Sequence, residues 1–240
     1  MRAAAHASLA ASFSAPLSAA ILAVALSSAS PPAAAQALSR SLAPLRAEIW
    51  VETEPVSASG DPWPVPPQEL ERRLRAEAAW IFGGMIKGFE FAYAPSDKVR
   101  GIAELFVLRS LGGPDPSALV ALKPAQASAR GTMRSSFECA VDPIAAAALD
   151  SFSREPWKSS QGRGRADLLG GHPAKFAAYE DALREAVREL ARSLEANKPR
   201  SVRGRVVLSA PPSIHIEAGE YRVQARVRIA IEEIVPYRMY

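Results

Sequence analysis

The chain has 240 residues, 48% of them apolar and 22% charged, with a formal net charge of +4. That is enough length and apolar content for one sizeable core or two small ones, and the charge is too low for a disordered polyelectrolyte. Cys139 is the single cysteine, which excludes an intramolecular disulfide framework and leaves stability to packing.

Met1 and Arg2 open an Ala-, Ser- and Leu-rich stretch that carries no Lys, Arg, Asp or Glu until Arg40 and is most apolar at 19–26. A positive start, a short apolar centre and the small-residue end Ala33-Ala34-Ala35-Gln36-Ala37 predict a secretory signal over residues 1–37, cleaved after Ala35 or Ala37. The competing reading, a membrane anchor, needs about 20 apolar residues, whereas Ser27, Ser28, Ser30, Pro31 and Pro32 interrupt this run. A lipid anchor would need a cysteine just after the apolar run, and none stands there. The Ala-rich, Arg-over-Lys composition fits a bacterium, so the expected address is the periplasm or the exterior, with no transmembrane segment after cleavage.

Residues 38–240 then read as a single α+β domain. Leu45, Ala47, Ile49, Val51 and Thr53 alternate with Arg46, Glu48, Trp50, Glu52 and Glu54, which predicts a half-buried strand with the second set in solvent. A Pro-rich surface loop follows over 55–67 around Trp63. Pro67 suits the first turn of a helix carrying Leu70, Leu74, Ala78, Ile81 and Met85 at helical spacing, weakened or ended by Gly83-Gly84. Phe89, Phe91 and Tyr93 form one face of an aromatic strand that Pro95 stops.

Residues 100–109 fit a short strand or a helix, 119–122 a short strand, and 130–141 a longer one. Asp142-Pro143 is an N-cap followed by proline at the first helical position, and it predicts a short helix over 144–152. Residues 157–171 are polar and glycine-rich and read as a mobile loop. The clearest helix runs over 173–197, with Phe176, Tyr179, Leu183, Val187, Leu190 and Leu194 on one face and charge pairs such as Glu180 with Arg184 on the other. Segments 201–209 and 221–235 read as an antiparallel pair, with Tyr221, Val223, Ala225, Val227, Ile229 and Ile231 inward and Arg222, Gln224, Arg226 and Arg228 outward. The expected architecture is a mainly antiparallel sheet of six or seven strands with two or three helices packed on one face.

Charge is unevenly spread. From Leu38 to Asp150 twelve Lys and Arg face fourteen Asp and Glu, while from Ser151 to Tyr240 sixteen face eleven. Lys158, Arg163, Arg165, Arg200, Arg203, Arg205, Arg222, Arg226 and Arg228 carry the excess. Such a face attracts an anionic envelope component or a protein partner through its summed field. It is equally the solvated side of a sheet, where Arg discourages edge-to-edge aggregation. Nucleic acid fits poorly, because no recognisable nucleic-acid module is present.

Candidates for chemistry are sparse. Cys139, His172 and His215 are too scattered for a zinc site, and no cofactor is implied. No Gly-x-Ser-x-Gly elbow exists, and Gly162-Arg163-Gly164 has Asp167 where a dinucleotide fingerprint needs glycine. Trp50, Glu52 and Glu54, with Trp63 nearby, use the vocabulary of a sugar-hydrolysing site, and Ser96 with Lys98 that of a nucleophile and its base. Each has a plainer account, a solvent-facing strand and a turn after Pro95. The terminal Tyr240 does not continue an outer-membrane strand pattern, since Arg238, Pro236 and Glu232 break it.

The stretch Trp80-Ile81-Phe82-Gly83-Gly84-Met85-Ile86-Lys87-Gly88-Phe89-Glu90-Phe91, continuing to Tyr93 and Pro95-Ser96-Asp97-Lys98, resembles a segment of uncharacterised exported bacterial proteins. The resemblance covers that segment alone and implies export without an activity. The leading expectation is an exported, non-catalytic binding or envelope accessory protein. The alternatives are a hydrolase of envelope sugars or peptides and a carrier of a small apolar ligand held against Phe89, Phe91 and Tyr93.

Overall fold

A computed structural model describes residues 43–56, 60–129, 131–194 and 199–237. The predicted export signal of residues 1–37 lies outside the described residues. The following concerns the compact unit from Ser41 to Tyr240.

Among the described residues there are ten strands, three α-helices and two 3-10 turns. The strands are β1 (Leu45–Glu52), β2 (Phe89–Ala94), β3 (Leu105–Ser110), β4 (Val120–Ala121), β5 (Gln126–Ser128), β6 (Thr132–Cys139), β7 (Lys158–Asp167), β8 (Ser201–Leu208), β9 (Ser213–Glu217) and β10 (Glu220–Val235). The helices are α1 (Pro67–Ile86), α2 (Pro143–Ser151) and α3 (Gly171–Leu194). The α+β class holds, with antiparallel pairing throughout. The strands, however, divide into two sheets. β1, β6 and β4 form one in that order, with β5 also on β6; β3, β2, β8, β10 and β7 form the other, with β9 also on β10.

The larger sheet turns one face to the helices. Phe89, Phe91 and Tyr93 of β2, Val202 and Val206 of β8, and Tyr221 to Ile229 at alternate positions of β10 are all buried on that side. α1 and α3 close over it, and Trp80 of α1 locks the layers together. Its ring lies 4.9 Å from Phe89, 5.2 Å from Tyr179 and 6.0 Å from Phe176. Each fully buried aromatic or branched side chain here contributes about 1.5–3 kcal/mol.

Local signals explain the helix ends. Pro67 starts α1, and the amides of Lys87 and Gly88 both return to the Gly83 carbonyl, with Gly88 at a φ of +76°. Gly83 and Gly84 do not end this helix. They are its contact surface: a Cβ on Gly83 would lie 2.7 Å from the Gly112 carbonyl oxygen, and one on Gly84 would lie 2.8 Å from Phe89 and Leu208. Asp142 caps α2 by accepting from the Ala145 amide at 2.7 Å, with Pro143 next, as the sequence predicts. α3 begins two residues earlier than its helical spacing suggests, at Gly171, and residues 195–198 fall outside the described set.

The predicted mobile loop over 157–171 is a misreading. Lys158–Asp167 is β7, paired along its length with β10, from Lys158 opposite Ile229 to Asp167 opposite Glu220. The period-two pattern is present in the sequence, but its inward positions include Gly162 and Gly164, which carry no apolar side chain to reveal it. Those glycines lie under α3. A Cβ on Gly162 would stand 2.0 Å from the Ala182 carbonyl oxygen and one on Gly164 2.1 Å from that of Ala178. On the helix side, Ala178, Ala182 and Ala186 are fully buried. The Ser160 hydroxyl donates to the Ala186 carbonyl at 2.9 Å, and Asp181 accepts the Arg165 amide at 2.9 Å. Helix and strand are thus in backbone contact along two turns.

Replacing Gly164 by Ala should therefore destabilise the protein by at least about 2 kcal/mol, because the obstructing atoms are backbone and cannot swing aside. Urea unfolding monitored by circular dichroism measures it. Gln161→Ala, on the opposite face of the same strand, should stay within about 0.5 kcal/mol of the parent.

Candidate functional site

Two clusters of polar groups stand out, one sealed and one open. The sealed cluster joins α1, α3, β1 and β10. Lys175 and Glu77, 0% and 1% exposed, form an ion pair at 2.8 Å. The Lys175 ammonium also donates to the Trp50 carbonyl and sits 4.0 Å from the Trp50 ring centroid. The Tyr179 hydroxyl donates to the other Glu77 oxygen at 2.6 Å. Beside it, Tyr221 donates to Glu52 at 2.7 Å, and the two rings of Trp50 and Tyr221 lie 6.5 Å apart. Burial pushes the Glu77 carboxyl up by more than Lys175 and Tyr179 offset, and burial raises both tyrosine hydroxyls as well.

This corrects the expectation that Trp50, Glu52 and Glu54 share a wet face. Trp50 and Glu52 are buried, because the second face of β1 is covered by α3 and β10, elements drawn from the far end of the chain. Glu54 and Trp63 are exposed. A carboxylate held by a buried tyrosine and a tryptophan under a lysine do not present a platform to a sugar. Lys175, Glu77 and Tyr179 escaped sequence reading because each sits at an ordinary helical position, and only their meeting across α1 and α3 gives them meaning.

At the edge of this cluster lies the start of α3. Asp61, from the Pro-rich segment, accepts from the His172 amide at 3.2 Å and from Arg73 at 2.6 Å, and Arg73 reaches Glu69 at 2.8 Å. Arg72 and Arg73 together hold the Glu69 carboxyl down to about 2. The ring of His172 is turned edge-on to Phe176, and its Nδ1 is buried without a hydrogen-bond partner among the described residues. Burial, with the Arg73 and Lys175 charges nearby, lowers its pKa to about 4.

The remaining sequence candidates have plain settings. Ser96 and Lys98 are exposed on either side of buried Asp97, which accepts the amides of Val99 and Arg100 at 3.0 and 3.2 Å and organises the turn. Cys139 is buried and free. Phe89, Phe91 and Tyr93 belong to the core, where Trp80 and Phe106 pack on them. Among the described residues no group of three or more His, Cys, Asp or Glu is placed to hold a metal ion. No helix among them is long and apolar enough to cross a membrane.

The open cluster runs from the far face of the larger sheet around its edge strand β7 to α3. A cleft of about 670 Å³ is bounded by β7, β9, β10 and one flank of α3, and a second of about 470 Å³ adjoins it, sharing Arg163, Glu185 and Gln224. The register builds its floor in rows. Asp167, Glu220 and Glu217 lie opposite one another, then Arg165, Arg222 and His215, then Arg163, Gln224 and Ser213. The acidic row engages the first basic row: Arg222 is 3.3 Å from both Glu217 and Glu220, His215 is 3.7 Å from Glu217, and Arg165 is 4.0 Å from Glu220. On the α3 flank Arg184 pairs with Asp181 and Arg188 with Glu185. Arg163 makes no ion pair among the described residues. The outward order Arg222, Gln224, Arg226, Arg228 is the one its alternation predicts; the α3 arginines were not legible as part of the same surface.

Fold and surface together define a small α+β protein with a sealed polar core and a guanidinium-rich sheet face. A protein-family model matches residues 33–237, and the chain belongs to that family. An uncharacterized protein of Treponema pallidum (strain Nichols) is 27% identical over 198 residues, covering 80% of this chain and 81% of the relative. The resemblance to uncharacterised bacterial proteins therefore extends over most of the chain. No solved structure matches it.

The His172 environment gives a pH dependence of stability. The folded-state pKa of about 4 lies below the ordinary value of 6.5, so the unfolded chain binds the proton more tightly in that interval. The associated stability is complete above pH 6.5 and is lost as pH falls toward 4, about 2–3 kcal/mol after allowance for partial solvent contact. Urea unfolding at a series of pH values should show this slope, and His172→Gln should flatten it.

Proposed function

We propose that the protein is exported to the periplasm or the exterior, and that it acts there without catalysis by binding an anionic component of the envelope on its basic sheet face. The observation that carries this reading is Arg163. It stands at the centre of the two adjoining clefts, beside rows in which Glu217 and Glu220 already face Arg222 and Asp167 is taken up by the Leu169 amide. An incoming anion meets a guanidinium that has no ion pair among the described residues to displace, and whose planar fork suits carboxylate or phosphate. The apolar centre and small-residue end of the first 37 residues support export. The sealed state of Trp50, Glu52, Glu77 and Lys175 argues for binding over hydrolysis, since a reacting bond cannot approach them.

Expression in a bacterial host with a carboxy-terminal tag should yield, in the periplasmic fraction, a chain beginning at residue 36 or 38 by mass. Titration of that mature protein with galacturonate and with glucose 6-phosphate at low salt should show binding that Arg163→Glu weakens about tenfold or more, a charge reversal at close range. Full-length chain retained in the cytoplasm contradicts the export half of the proposal. Absence of binding to either anion contradicts the other half.

A further inference from the structure

Beyond Arg163, two more arginines on the same sheet face are unpaired. β10 continues outward through Arg226, opposite Gln161, and Arg228, opposite Ser159, and neither arginine has an ion pair among the described residues. The acidic row Asp167, Glu220 and Glu217 sits at the other end of this face, beyond Arg222, and the acids beside Arg163 on the α3 flank, Glu185 and Glu189, are paired with Arg188 and Arg192. The free charges therefore form a line and not a point.

Its spacing follows from strand geometry. Arg226 and Arg228 are two residues apart on one strand, about 6.6 Å. Arg163 faces Gln224 and so lies diagonally from Arg226, at about 7–8 Å. Uncharged hydrogen-bonding groups, Gln224, Gln161 and Ser159, occupy the positions between and beside them. A single small anion cannot satisfy three guanidiniums so spaced. A linear molecule with an anionic group at each step and hydroxyls between can.

Resting on the reading of this face as an anion-binding surface, we propose that its ligand is an extended acidic saccharide, laid along β10 so that successive acidic groups meet Arg163, Arg226 and Arg228. The amide and hydroxyl side chains of the intervening positions accept and donate to the sugar hydroxyls. Among the described residues the face has no run of aromatic side chains on which successive bases could stack, which sets it apart from surfaces that hold single-stranded nucleic acid.

Chain length is the test. Galacturonate oligomers of one to six units are titrated into the mature protein at low salt by calorimetry, alongside maltohexaose and an oligothymidylate of matched charge. Affinity should rise about tenfold or more between monomer and tetramer as further contacts become intramolecular, and then level off. Arg226→Gln and Arg228→Gln should each cost about two- to fivefold for the tetramer, as exposed ion pairs do, while leaving the monomer unchanged. Both are surface substitutions, and unchanged circular dichroism spectra show that the fold is kept. Equal affinity for monomer and hexamer overturns the extended ligand and leaves the anion-binding reading standing. Tighter binding of oligothymidylate, or equal binding of maltohexaose, overturns the acidic saccharide. No binding at any length removes both proposals together.

Discussion

The close approach of α3 to β7 is the constraint on which the rest of the structure depends. Backbone meets backbone where Gly162 and Gly164 receive Ala178, Ala182 and Ala186, and neither partner has a side chain to spare. Because α3 lies so low on the sheet, Lys175 and Tyr179 come within hydrogen-bonding distance of Glu77 on α1. The same contact covers the edge strand of the sheet, with Asp181 taking an edge amide that would otherwise invite another chain. It also fixes which face of β7 is dry, and so sends Arg163 and Arg165 to the opposite one.

The sealed Lys175, Glu77 and Tyr179 cluster follows from that geometry and costs free energy of its own. Two charges are taken out of water, and their mutual attraction balances desolvation only because the Trp50 carbonyl and ring, and the Tyr179 hydroxyl, complete the set. Removing one partner would strand the other, a loss of about 3–5 kcal/mol. Its role is positional: Trp50 and Glu52 of the smaller sheet can join α3 and β10 in only one register if these bonds are all to form. Two sheets that share no ladder among the described residues are thereby held to one set of helices.

Much of this fold was legible in the chain. Pro67, Asp142-Pro143 and the apolar stripe of α3 announce their helices, and the alternation Tyr221, Arg222, Val223, Gln224 announces both faces of β10. The failures share one cause, which is that the informative partner is distant. β7 reads as a loop because glycine is inward there and only the overlying alanines explain why. Trp50 and Glu52 read as wet because the elements that cover them arrive more than a hundred residues later. The basic face was visible as a list of arginines, but only the register separates those already neutralised by Glu217 and Glu220 from Arg163, Arg226 and Arg228.

The clamped state of β7 is open to direct measurement by native-state hydrogen exchange, read by mass spectrometry on peptides covering 158–167. A strand held between β10 and α3 predicts slow exchange, with opening free energies close to that of global unfolding. Exchange at the rate of an unstructured segment would contradict the account, and with it the placement of every arginine that the strand carries.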